Sequence, residues 1–156
     1  MKTVLQEIRL ISPFLGSGKP DENGLRRILL NNVKKNEVKL FLTSFLNNFK
    51  KLTNVTIDKN FQIYPGMVPS DRNVPVFFER KQTYIDGKEQ LFESLPVGYT
   101  GYLKIQYNPK VWDETYLLNG IKTIANHNGI TQFGAKQGYG KFIFTNKKIT
   151  LNICLT

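Results

Sequence analysis

The sequence predicts an α+β fold, an antiparallel sheet with helices packed on one face. Three observations predict it. Short segments alternate apolar and polar residues at period two. Two apolar stripes recur at helical spacing. A glycine-rich connection, Gly129 to Gly140, lies between the second stripe and an apolar, β-prone end of the chain. At 156 residues the chain is the size of one domain, and its 40% apolar content suits a packed core and excludes wholesale disorder.

In chain order, Thr3 to Ile11 alternates Val4, Gln6, Ile8 and Leu10 against Leu5, Glu7, Arg9 and Ile11, as a strand does. Ser12 to Asn23 holds Pro13, Gly16, Gly18 and Pro20 and reads as a loop. Leu25, Ile28, Leu29 and Val33 then recur at helical spacing, with Asn23 as the cap. Arg26 and Arg27 fall in the first turn of that expected helix, where positive charge opposes the helix dipole unless an anion is bound. A second helix is expected from Asn36 to about Lys51, with Val38, Phe41, Leu42, Phe45, Leu46 and Phe49 as its stripe.

Asn54 to Tyr64 alternates like a strand, and Pro65 to Pro75, with three prolines, is expected to be a long irregular loop. Asp86-Gly87 signals a two-residue hairpin turn, and Tyr99 to Tyr107 alternates as a strand. Asp113 can cap a helix carrying Leu117, Leu118, Ile121, Ile124 and Ala125, which the glycine at 129 should end. Lys141 to Thr145 and Lys148 to Leu155 read as two strands parted by Asn146-Lys147. Two βαβ units in this order predict the ferredoxin-like (RRM-like) layout, with the N-terminal strand central.

The formal charge is +10, and no acidic residue follows Glu114 while Lys122, Lys136, Lys141, Lys147 and Lys148 do. Such an imbalance draws polyanions. The lone cysteine, Cys154, excludes an intrachain disulfide and reads as a small buried hydrophobe. With no apolar leader and no membrane-length run, the expectation is a cytoplasmic protein with no membrane partner.

Glycines 129, 134, 138 and 140 alternate with Phe133, Lys136, Tyr139 and Lys141. Glycine permits positive φ and close backbone approach, successive amides can cradle an anion, and lysines with aromatics suit phosphates and bases. Neither nucleotide fingerprint survives. Around Gly140-Lys141 a Walker loop would need glycine at Ala135 and a hydroxyl at Phe142, and Ile143 stands at the third glycine of a dinucleotide pattern. An ordinary glycine-rich connection is the competing reading.

The segment Ile130 to Phe142, above all Gly134-Ala135-Lys136 followed by Gly138-Tyr139-Gly140, resembles the signature loop of the RAMP proteins of CRISPR effector complexes. Ser12 to Gly18 is similar to the segment ending that family's first strand, and Gly24-Leu25-Arg26-Arg27 looks like its helix start. The loop is most similar to the Cmr-type first subunit of type III complexes. Phe133 stands where that family commonly has glycine, and the helix start lacks its usual serines.

The resemblance implies crRNA binding, with target RNA as a further partner, beside other effector subunits. Its RNA-binding residues would be Gly134, Lys136, Gly138, Tyr139, Gly140, Lys141, Arg26, Arg27 and His127. The amides from Ala135 to Gly140 would hold phosphates and Tyr139 would stack a base. Two alternatives stay open: a metal-independent RAMP endoribonuclease, and a basic phage or bacterial protein acting through a protein partner.

The only histidine, His127, lacks the second group that acid–base catalysis needs, and one Cys with one His offers no metal-ligand spacing. No cofactor, metal or catalytic residue is therefore expected. Asp21 sits where some RAMP backbone subunits place a cleavage aspartate, but reads here as an exposed loop residue. Arg72 in the proline-rich loop is either a ligand contact or a solvated side chain.

Overall fold

The computed structural model describes residues 1–71, 73 and 77–152. Arg72, Pro75, Cys154 and Leu155, each named above, lie outside the described residues. The architecture is mixed α+β. A six-stranded sheet runs in the order β10 (Phe142–Asn152), β1 (Lys2–Leu10), β9 (Thr100–Tyr107), β6 (Phe61–Pro69), β5 (Glu37–Lys39), β4 (Leu30–Asn32), all pairs antiparallel. A smaller sheet joins β2 (Phe14–Leu15), β8 (Lys88–Leu95) and β3 (Leu25–Arg26), and β7 (Glu79–Ile85) pairs with β8. The β3–β8 pair is parallel. Among the described residues there are two α-helices, α1 (Thr43–Thr53) and α2 (Glu114–Ala125).

The core follows from alternation. Val4, Ile8, Leu103, Ile105, Phe61 and Ile63 bury one face of the large sheet. Phe45 and Phe49 of α1 and Leu117, Ile121 and Ile124 of α2 bury themselves in the same cluster. The helices cross at Gly120, where a Cβ would stand 2.8 Å from both the Phe49 ring and Thr53 Cγ2. Asp113 caps α2 as expected, its carboxylate accepting from the Tyr116 amide at 3.1 Å. The Asp-Gly turn holds too: Asp86 and Gly87 take φ of 53° and 80°, as a two-residue hairpin requires.

Several expectations need correction: the loop expected over Ser12 to Asn23 contains β2, and the strand expected from Asn54 begins only at Phe61. The helix expected over Leu25 to Val33 is instead β3 and β4. Its stripe splits, with Leu25 and Ile28 buried and Leu29 and Val33 exposed. Pairing overrides periodicity because Asp21 turns the chain, accepting from the amides of Asn23 and Leu25, and because Arg27 O takes the amides of Ser17 and Gly18.

The helix expected from Asn36 starts only at Thr43, and Val38 is a buried strand residue. Asn36, at φ 51°, turns β4 into β5.

Pro65 does not end the preceding strand. β6 continues to Pro69 through an irregularity between Ile63 and Met67, where no ladder amide is needed from proline. The Pro65 carbonyl instead accepts from the Leu40 amide and from Asn31 Nδ2.

The two expected C-terminal strands are one, β10, with a bulge opposite Glu7. Gln6 Nε2 donates to Thr145 O at 3.1 Å, and the Thr145 hydroxyl donates to buried Glu7 at 2.6 Å, which holds the bulge in place. Burial of Glu7 raises its pKa. The hydroxyls of Ser70 and Thr145 and the charges of Lys147 and Arg9 outweigh that and hold it below the usual range.

Candidate nucleic-acid interface

The glycine-rich segment is pinned at its start by Asn128. This buried amide donates to Gly129 O at 2.9 Å and accepts from Ser44 Oγ and Asn48 Nδ2 of α1, both at 3.2 Å. Gly129 then passes against the returning chain so closely that a Cβ would lie 1.6 Å from Tyr139 O. That is why the position is glycine. It does not end α2, which already stops at Ala125.

A 3₁₀ turn, Ala135–Gln137, is bracketed by Gly134 and Gly138 at φ of 75° and 98°. The amides of Gln137 and Tyr139 donate to Gly134 O, that of Gly138 to Ala135 O, and that of Gly140 to Pro13 O. Ser12 Oγ bonds Gly138 O and accepts from the Lys141 amide. The amide cradle expected from Ala135 to Gly140 is therefore corrected. Four of those donors hold the segment to itself and to the chain after β1.

Side chains expected to face a ligand are also committed within the fold. Tyr139 packs with Leu15, Ile85 and Phe92, and its hydroxyl lies 2.7 Å from Thr83 Oγ1. It clamps the segment to the β7–β8 hairpin. Phe133 packs on Phe92, and the Arg26 guanidinium lies 4.4 Å over the Phe133 ring while bonding Gln90 and Gly18 O.

Arg27 is exposed but faces Asp21 at 3.5 Å and Glu93 at 3.6 Å. Asp21 is a turn-forming acceptor whose pKa is lowered chiefly by the Leu25 amide, with Asn23, Arg27 and Arg80 adding to it against desolvation. His127 is exposed just beyond α2. Lys141 is half-buried against Gly138. Among the described residues no group of three or more His, Cys, Asp and Glu is placed to hold a metal ion, and no helix is long and apolar enough to cross a membrane.

Lys136 differs. It is exposed at the mouth of a groove of about 430 Å³ between α1 and the glycine-rich segment. The groove is lined by Thr43, Ser44, Asn47, Asn48 and Lys51 from one side and Thr131, Gln132 and Lys136 from the other. A second concavity of about 370 Å³ shares Ser44, Gln132 and Lys136 and leads to Gly134, Gln137 and the hairpin turn at Asp86.

The first groove has two lysines and no carboxylate in its lining. The helix that opens onto it has no acid in its first turn and no side-chain cap. Amide and hydroxyl side chains with two cations and the positive end of a helix suit phosphate and sugar oxygens. Sequence reading placed Lys136 but missed Ser44, Asn47, Asn48 and Gln132. The available signal was the acid-free start of α1, obscured because the helix was expected to begin seven residues earlier, at Asn36 and not Thr43. No protein-family model matches the sequence, and no curated protein is similar enough to it to count as a match.

Proposed function

We propose that the chain is an RNA-binding domain of the RAMP type, one ferredoxin-like unit that holds RNA backbone in the groove between α1 and the glycine-rich segment. The observation that carries the reading is the carboxylate-free groove with Lys51 and Lys136 on opposite walls. The layout supports it. The strand order β10-β1-β9-β6 with helices after β1 and β9 supports a ferredoxin-like layout, as does the position of the glycine-rich segment between the last helix and last strand. A formal charge of +10 supports a polyanionic partner.

In this reading the glycines shape the wall of the groove, and Lys136, Lys51, Gln132 and the α1 amide side chains make the contacts. The partner is crRNA within a CRISPR effector complex, alongside other subunits. RNA copurified with the chain, cross-linked by ultraviolet light and mapped by mass spectrometry, should mark Gln132, Lys136 and α1, and its sequence should contain a repeat-derived tag. Cross-links confined to β4, β5 or α2, or RNA without any recurrent tag, would contradict the reading.

A further inference from the structure

We infer that the open face of the large sheet, on the side away from both helices, is a second nucleic-acid surface that stacks unpaired bases on Tyr64 and Tyr102. Residues alternating with the core positions project there: Leu5 of β1, Tyr102 and Lys104 of β9, Tyr64 and Val68 of β6, and Ile149 of β10. They line a shallow concavity of about 460 Å³. Large apolar groups stay in solvent on this face, with Tyr64 43% and Ile149 48% exposed. Leu5 pairs across the sheet with Lys104 on one side and Ile149 on the other, so the strip runs unbroken from β10 through β1 to β9, with the cation of Lys104 on β9.

The chemistry of the strip selects its occupant. Lys104 holds its ammonium 5.4 Å from the centre of the Tyr64 ring, and Lys35 joins it in the lining against the single carboxylate of Glu37. Aromatic faces with adjacent cations match bases with flanking phosphates, and base–aromatic stacking is tolerant of sequence. Around the strip, Arg9 and Lys147 flank buried Glu7, whose carboxylate is already bonded to Thr145. A second copy of the chain, or another protein adding to the neighbouring edge strand, is disfavoured. β10 carries its bulge and Lys147 and Lys148 there, devices that block strand addition.

The surface is independent of the groove, and the test separates them. Short single-stranded RNA, DNA of the same sequence, and duplex RNA are titrated against the full chain and three variants. The Tyr64→Ala/Tyr102→Ala variant should lose about 5- to 150-fold in affinity for single strands for each ring that stacks a base, the range stacking losses convert to, and keep its affinity for duplex. Tyr64→Phe/Tyr102→Phe should bind as wild type. Lys51→Ala/Lys136→Ala should weaken single strands and duplex alike.

Equal tyrosine losses on RNA and DNA identify the bases as the contacted groups, and a loss confined to RNA adds the ribose hydroxyl. Unchanged single-strand binding by the alanine variant, with a wild-type melt, overturns the inference. So does an equal loss on duplex, or a change in sedimentation without a change in nucleic-acid binding.

Discussion

Replacing Gly129 by alanine should be among the most damaging single-methyl changes in the chain, although Gly129 is not one of the glycines at positive φ. The added Cβ would stand 1.6 Å from Tyr139 O, 2.7 Å from Tyr139 C and 2.9 Å from the Gly140 carbonyl carbon. All three are backbone atoms, so no rotamer change can relieve them, and the two chain segments must part by more than an ångström. That motion breaks Gly129 N–H to Ala135 O and Ile130 N–H to Gly140 O, at 3.1 and 3.2 Å. Overpacking of about 1–3 kcal/mol plus two backbone bonds at about 0.5–1.5 kcal/mol each gives roughly 2–6 kcal/mol. The whole stability of a domain is about 5–15 kcal/mol.

Gly138→Ala is the control. It meets only the flexible end of Lys141, at 3.2 Å, and carries the left-handed strain of φ 98°, about 1–2 kcal/mol. Urea unfolding followed by circular dichroism should place the Gly129→Ala midpoint well below that of Gly138→Ala. A Gly129→Ala midpoint equal to wild type, or above that of Gly138→Ala, would refute the crossing as the reason for glycine here.

Tyr139→Phe should cost about 1 kcal/mol through the lost Thr83 hydrogen bond, and Tyr139→Ala more, both read by thermal melting. RNA affinity of the phenylalanine variant should stay unchanged, because the ring is engaged with the hairpin. Glu114 makes a pH prediction. Burial raises its pKa, but hydrogen bonds from Lys148 and Tyr107 and the charges of Lys148 and Lys2 hold it below the usual carboxylate range. Its contribution to stability is present above the unfolded-state pKa and is lost as pH falls through the folded one. Glu114→Gln should therefore flatten the acid limb of the stability profile, and an unaltered limb would show the carboxylate to be idle. His127→Ala should leave both the melt and RNA binding unchanged, since the side chain is exposed at the end of α2.

Elements whose local signals agree with their tertiary setting were legible in the sequence. β9 alternates because one face is buried, β1 follows it although Thr3 and Glu7 are buried on the opposite face, α2 has cap and stripe together, and Asp86-Gly87 forces its turn whatever surrounds it. Leu25 to Val33 was not, because four apolar residues at helical spacing are equally served by two short strands once Asp21 and Gly16 fix the turn. Proline at 65 misled because strand irregularities are invisible without the partner strand.

The site was half legible for the same reason. Glycine spacing located the segment, but which amides remain free depends on Pro13, Ser12 and Gly134, and no local pattern encodes those partners. Tyr139 and Arg26 look like ligand-binding side chains until the β7–β8 hairpin and Phe133 are placed beside them.

The groove between α1 and the glycine-rich segment is proposed to neutralise RNA phosphates. That role is tested most directly by the slope of log K against log salt for RNA binding, measured for wild type and Lys51→Ala/Lys136→Ala. The wild-type slope should be steep and should fall by about one unit for each lysine removed, with weaker binding across sequences and an unchanged melt. A folded double variant with wild-type affinity and wild-type slope would contradict it.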